Sequence, residues 1–235
     1  MLGKKVAVIG GGPAGSFVAY LLAREGVVAS IYEPRSPRQP DRTMGERRRT
    51  CTGCAGLVQS SALTLLEANG IELPESVVQA RLQAAATYFP HNSEPIHVPL
   101  DNAVTVHRGF GPIRQNGEPV DSFDAYLLQR AQNAGAIHNQ VEIRGVDLSE
   151  EGDRVHLVGT NGVRYEADTI IGAFGHNPGL MAAIRYPTGE SILSLPRTSR
   201  ASIREYYFGQ EVVRELLGNK IHVFGNPSER IWFAA

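Results

Sequence analysis

Cysteine is scarce: the 235 residues contain two, Cys51 and Cys54. Two cysteines cannot build a disulfide framework, so a cross-linked secreted scaffold is excluded and a reducing cytoplasm is the default compartment. Net charge is nearly absent as well, at −1. No basic field therefore favours nucleic acid or an anionic membrane as the principal partner. No apolar run reaches the ~18 residues of a spanning helix. The apolar segment near the start, Val6-Ala7-Val8-Ile9, is too short for the core of a signal peptide. Internal repeats and low-complexity tracts are absent too. What remains is an ordinary globular composition, 42% hydrophobic, long enough to bury a core as one interleaved unit or two small domains.

Glycine, by contrast, is plentiful, and its densest cluster carries the most informative motif. Val6 to Ile9 reads as a strand buried on both faces. It breaks into Gly10-Gly11-Gly12-Pro13-Ala14-Gly15 and then into a helical stretch, 16–25. Gly10, Gly12 and Gly15 fit G-x-G-x-x-G: the first allows a tight turn, the second lets the backbone approach a pyrophosphate, and the third lets helix and strand pack closely. The helix start through Ser16 offers N–H groups and the positive end of its dipole to that pyrophosphate. A second strand, 28–32, ends at Glu33, 18 residues past the last glycine. That is the place for an acid bonding a ribose hydroxyl. A glycine-rich turn that binds nothing is the plain alternative, but the order strand, glycines, helix, strand and acid argues for a nucleotide.

Further along, 60–69 reads as an amphipathic helix with Ser60 as cap and Gly70 as stop. Segment 80–106, interrupted by Pro90, Pro95 and Pro99, reads as short β pieces. Segment 121–134 is a second helix, capped by Asp121 and stopped by Gly135. Segments 141–148, 154–159 and 164–167 read as a meander, and 169–173 returns to the buried parallel sheet. Strands are expected at 199–208, 222–225 and 230–234, with a short helix at 210–217. The loop 42–56 holds Arg42, Arg47, Arg48 and Arg49, which form either a solvated basic loop or a phosphate contact. Cys51 and Cys54 make a C-x-x-C with no second pair and no histidine at metal spacing, so no metal site is expected. Packing as small hydrophobes or a redox dithiol remains for them. The seven histidines are scattered and unpaired.

Several of these segments together resemble a known family. Gly-Pro-Ala-Gly at 12–15 followed by Glu33 is similar to the FAD-binding start of flavoprotein oxidoreductases. Ser122-Phe123-Asp124-Ala125-Tyr126-Leu127-Leu128, continuing to Ala131 and Gly135-Ala136, resembles a helix of the geranylgeranyl reductase-like flavoproteins. Cys51-Thr52-Gly53-Cys54-Ala55-Gly56-Leu57 resembles their Cys/Gly-rich loop, and Ala167-Asp168-Thr169-Ile170-Ile171-Gly172-Ala173 the strand carrying their second flavin motif.

The resemblance implies FAD as cofactor and a fold of the p-hydroxybenzoate hydroxylase type. That fold is α/β: a Rossmann-like FAD-binding domain, with a parallel sheet and a βαβ start, interleaved with a β-rich substrate domain. It assigns 1–76 and 105–182 to the first and 77–104 and 183–235 to the second, incomplete at its C-terminal end. It places Gly10, Gly12, Pro13, Ala14, Gly15 and Ser16 at the pyrophosphate, Glu33 at the ribose, the Val141 backbone near the adenine, and Gly175 in the second motif. Cys51, Cys54 and Trp232 become candidates beside the flavin or substrate; no catalytic residue is named beyond them. The implied activity is reduction of an unsaturated isoprenoid or lipid-like substrate with electrons from NAD(P)H or another donor, which leaves peripheral contact with a membrane open.

Two departures qualify this. Family members carry Ala-Asp-Gly in the second motif, whereas Ala173-Phe174-Gly175 stands here. Their third, Gly-Asp-Ala motif is not found. The last residues, 231–235, read as the middle of a strand, so the chain is expected to lack a C-terminal part and to be incomplete for catalysis. The alternatives are a flavin monooxygenase on the same fold, a nucleotide-binding module without redox activity, and a flavin disulfide reductase using Cys51 and Cys54. The last has the wrong cysteine spacing, since those enzymes use C-x-x-x-x-C.

Overall fold

Alternation along one short strand organises the molecule. In β1 (Lys5–Ile9), Val6 and Val8 enter one core while Ala7 and Ile9 enter another on the opposite face. A strand buried on both sides must be covered by two layers. β1 lies in a parallel sheet of order β10-β1-β2-β6, with β2 (Val28–Tyr32), β6 (Ile137–Asn139) and β10 (Thr169–Gly172). The computed structural model describes residues 3–35, 56–109, 121–148, 154–185, 188–190, 192–194, 197, 208–225 and 231–234.

One face of this sheet is covered by α1 (Pro13–Arg24) and α3 (Phe123–Asn133), which pack on each other and bury Ala19, Tyr20, Leu127, Leu128 and Ala131 against Val8 and Ile31. The other is covered by the antiparallel meander β7 (Ile143–Leu148), β8 (Val155–Gly159) and β9 (Arg164–Ala167). Its Ile143, Val146 and Leu157 meet Ala7, Ile9 and Tyr32. α4 (Pro178–Ala183) leads into β11 (Ile184–Arg185), which pairs parallel to β7.

A separate five-stranded sheet has the order β13-β12-β4-β5-β3, built from β3 (Leu57–Val58), β4 (Val78–Tyr88), β5 (Ile96–Val106), β12 (Lys220–Gly225) and β13 (Ile231–Ala234). It reaches the first core through Val58, Val104 and Val106, which meet Leu66 of α2 (Ser60–Ala68). Its own core is small, centred on Leu82, Ala103 and Ile221. α5 (Gln210–Leu217) precedes β12. The α/β fold with a parallel sheet, a βαβ start and β-rich parts is thus as expected.

Three local expectations are corrected. Segment 80–106 is not a set of short pieces but forms most of two long paired strands. Pro99 stands inside β5 in register with Ala84 of β4, and among the described residues no strand pairs with its other side, since β3 joins β5 only at Val104 and Thr105; such an edge position suits a proline. A register shift between Leu82 and Ala84, with Asn102 at φ 56°, absorbs the irregularity. Ser60 is the first helical residue of α2 and not its cap; Gln59 occupies the cap position without a side-chain bond. α3 is capped by Ser122 and not by Asp121, since the Ser122 hydroxyl accepts the Ala125 N–H at 3.2 Å. The strand expected at 199–208 and the basic loop lie outside the described residues, apart from Phe208 and Gly56. Among the described residues no helix is long and apolar enough to cross a membrane.

Candidate nucleotide-binding site

The glycine turn is shaped by what stands against it. Gly10 adopts φ 103°, and a side chain there would meet the Ala173 carbonyl oxygen at 2.5 Å. A side chain at Gly15 would lie 2.0 Å from the Gly10 carbonyl oxygen, and one at Gly11 2.7 Å from Cβ of Glu33. These three positions are packed from behind by the chain itself. Gly12 differs: among the described residues, a Cβ there would meet no atom nearer than Asp124 Oδ1, at 3.9 Å. The motif therefore divides into glycines required by the fold and one that keeps a surface clear at the start of α1.

That surface is the N-terminal end of a helix with no side-chain cap at Gly12 and with Pro13 in its first turn. The leading N–H groups of a helix lack intrahelical partners, and the dipole is positive there. Ser16 faces inward: it is fully buried, its hydroxyl donates to the Gly11 carbonyl at 2.9 Å, and its N–H bonds the Gly12 carbonyl at 2.9 Å. It braces the turn.

Two buried carboxylates flank this surface, each paired with an arginine. Glu33 is 4% exposed. Its Oε2 accepts the Gly11 N–H at 3.0 Å and Arg35 Nη2 at 2.9 Å, and its Oε1 accepts the Arg35 N–H at 3.0 Å and Arg35 Nε at 2.7 Å. Burial alone would raise its carboxyl pKa, but the hydrogen bonds and charge of Arg35, with the Gly11 N–H, outweigh burial and hold it below its ordinary value. The same bonds push the Arg35 guanidinium above its own. On the other side Asp124, 1% exposed, accepts Arg108 Nε at 2.8 Å and the Gly109 N–H at 3.0 Å. Ser122 ties this corner down by donating to the Gly109 carbonyl at 2.7 Å. The two pairs are close enough for Arg35 to feel both Asp124 and Arg108.

The structure thus brings Gly10, Gly12, Pro13, Ala14, Gly15, Ser16 and Glu33 into one place and sets Ala173 of the second motif directly behind Gly10. Phe174 enters the core between the parallel sheet and the meander, and Gly175 has φ 59° with no other described atom within 4 Å of a side chain placed there. Val141 is buried in that same core. Its N–H bonds the Asn139 carbonyl at 2.8 Å, and the Asn139 carbonyl also accepts from Glu33 N–H at 3.1 Å, so the Val141 backbone sits beside the exit of β2. Trp232 lies in β13, in register with Phe224 of β12, in the five-stranded sheet and not in the one that carries the glycine turn. Cys51 and Cys54 lie outside the described residues. Reading the sequence missed Arg35, Arg108 and the role of Asp124. Asp124 stood inside a quoted motif, and Arg35 lies two residues beyond Glu33, but Arg108 carries no local signal. Its partner is 16 residues away and meets it only through the fold.

A strand, glycine turn and helix with an acid at the next strand's end define a dinucleotide-binding domain of the Rossmann type. Comparison with known proteins narrows the class. The family described as FAD binding domain matches residues 4–190, and the chain belongs to it. FAD is accordingly its cofactor. The chain is 30% identical over 185 residues to the chloroplastic geranylgeranyl diphosphate reductase of Oryza sativa subsp. japonica, covering 74% of this chain and 35% of that protein. It is 25% identical over 235 residues to the corresponding protein of Nicotiana tabacum, covering 91% of this chain and 45% of that one. The chain therefore spans between a third and a half of these relatives. Among solved structures, the flavin-dependent brominase Bmp2 shares the fold, with a TM-score of 0.53, 17% identity, and coverage of 74% of this chain and 38% of that one.

The residues present fit the cofactor. The open face at Gly12, the uncapped start of α1 and the Glu33 carboxylate fixed by the Gly11 N–H are what a dinucleotide's pyrophosphate and ribose require.

Proposed function

We propose that this chain is the FAD-binding part of an oxidoreductase similar to the geranylgeranyl reductases, acting on an unsaturated, isoprenoid or lipid-like substrate with electrons from NAD(P)H or another donor. The observation that carries the reading is the open face at Gly12, set between the start of α1 and the Glu33 carboxylate. In this reading the α1 N–H groups around Ala14 and Gly15 hold the pyrophosphate, Glu33 takes the ribose and the Val141 backbone lies by the adenine. When bound, FAD supplies the hydride chemistry; the chain binds it, orients it and keeps water out. The division into an FAD-binding domain, 1–76 and 105–182, and a substrate domain, 77–104 and 183–235, belongs to this proposal. The sheet holding β4, β5, β12 and β13 then supplies the substrate surface, with Trp232 a candidate lining residue. Similarity to the geranylgeranyl diphosphate reductases over most of this chain supports the reductase reading.

A flavin monooxygenase is the second reading, favoured by 32% identity over 129 residues to the chloroplastic zeaxanthin epoxidase of Arabidopsis thaliana, covering 50% of this chain and 18% of that protein. The absorbance spectrum of the purified protein tests the shared part: a flavin spectrum at near one equivalent per chain is expected, and no flavin after incubation with excess FAD ends both readings. Anaerobic turnover of an isoprenoid substrate by a form extended at its C-terminus separates them. A reductase proceeds without O₂, and a monooxygenase stops.

A further inference from the structure

The Glu33 carboxylate has no acceptor capacity left. An ionised carboxylate offers about four lone-pair sites. Here Oε1 receives the backbone N–H and Nε of Arg35, and Oε2 receives the Gly11 N–H and Nη2 of Arg35. Three of these four donors belong to one residue. The Gly11 bond is part of the fold, because that backbone is wedged against Glu33. Two of the three Arg35 bonds come from its side chain, which is 26% exposed against 5% for that of Glu33, so the fork is the part of this network that reaches solvent.

We propose that Arg35 competes with the cofactor's ribose for Glu33, so that the free protein keeps its own acceptor closed and loading requires the guanidinium fork to leave. This rests on the reading that the ribose is received by Glu33. A ribose hydroxyl is a single neutral donor, whereas Arg35 presents two charged donors in a planar fork that matches the carboxylate. One hydroxyl does not displace that fork by itself. The exchange is driven by the rest of the dinucleotide, whose pyrophosphate takes the start of α1 and offers a new counter-charge to the released guanidinium. The neighbouring Arg108–Asp124 pair is built differently. Asp124 is held by Arg108 and by the Gly109 N–H and is locked by Ser122 at the start of α3. It stays closed while Arg35 exchanges.

The test is FAD titration, followed by quenching of flavin fluorescence, with the parent chain and five variants, plus thermal melting of each without FAD. Arg35→Gln is expected to bind FAD about ten-fold tighter, the worth of one charge-assisted hydrogen bond, and to melt lower without FAD because a buried carboxylate has lost its partner. Arg35→Lys keeps the charge but not the fork and should also bind more tightly. Glu33→Gln should bind more weakly, and adding Arg35→Gln to it should change nothing further, since competition needs the carboxylate. Weaker or unchanged binding by Arg35→Gln, or the same gain in the Glu33→Gln background, overturns the proposal. Gly12→Val reports on the site itself: if it binds FAD as the parent does, the underlying reading has failed, whatever Arg35 does.

Discussion

The parallel sheet around the glycine turn and the five-stranded sheet holding β4, β5 and β12 are made on different terms. The first is sandwiched between helices and a meander, and Val8, Ile31, Leu128 and Leu157 are fully enclosed. Among the described residues the second has three buried members in its own core, while Ile96, Val98 and Phe224 stand about half exposed. Layering explains the contrast: a sheet covered on both faces closes its core, and one that the described elements cover less fully leaves apolar surface in the open. A nucleotide site belongs on the first kind, because donors and acceptors must be held to a fraction of an ångström by packed neighbours.

That difference can be broken or sharpened by substitution. Ile31→Ala should cost about 4 kcal/mol in urea unfolding and Leu82→Ala about 2 kcal/mol, since a cavity in a closed core relaxes less than one near an open face. Equal losses would mean that the two sheets share one level of packing. Within the turn itself, Gly15→Ala should lower stability by about 3 kcal/mol, because its Cβ would press on the Gly10 carbonyl oxygen from 2.0 Å. Gly12→Val should leave the melting temperature nearly unchanged but reduce FAD affinity by about 100-fold. A folding defect at Gly12, or FAD binding that survives there, would erase the division between structural and ligand-facing glycines.

Acid provides a smaller and signed effect. Because Glu33 is held below its ordinary value of 4.5, its pairing stabilises the fold fully above that pH, and the contribution is lost as pH falls through the lower folded-state value. The parent should therefore lose stability more steeply below pH 4.5 than Glu33→Gln does. Parallel acid-unfolding curves would show that the carboxylate is not held as described. The smallest effect is expected at the cysteines. Their spacing does not suit a flavin disulfide reductase, so Cys51→Ser with Cys54→Ser should keep FAD at parental stoichiometry and, in an extended form, keep flavin reduction by NAD(P)H. Loss of reduction together with a titratable dithiol in the parent would bring the disulfide reading forward.

The amino-acid order by itself determined the βαβ start, the glycine turn, the acid at Glu33 and the three-strand meander, because each rests on contacts or periodicities within a few residues. It also determined the stops at Gly70 and Gly135, where positive φ at the helix end needs glycine. What only the tertiary structure decided depends on distance along the chain. Pro99 reads as a breaker until it is seen on an edge. Asp121 and Ser122 are equal as caps until the bond to Ala125 selects one. Motif spacing gives Gly10 the turn and Gly12 the pyrophosphate, but only the fold brings Ala173, 163 residues beyond Gly10, behind the first and, among the described residues, keeps other atoms at least 3.9 Å from a side chain at the second. Arg108 is one exposed-looking cation among many until α3 brings the Asp124 carboxylate to it. Local order specifies which groups a site contains; burial and long-range packing decide which of them are already spoken for.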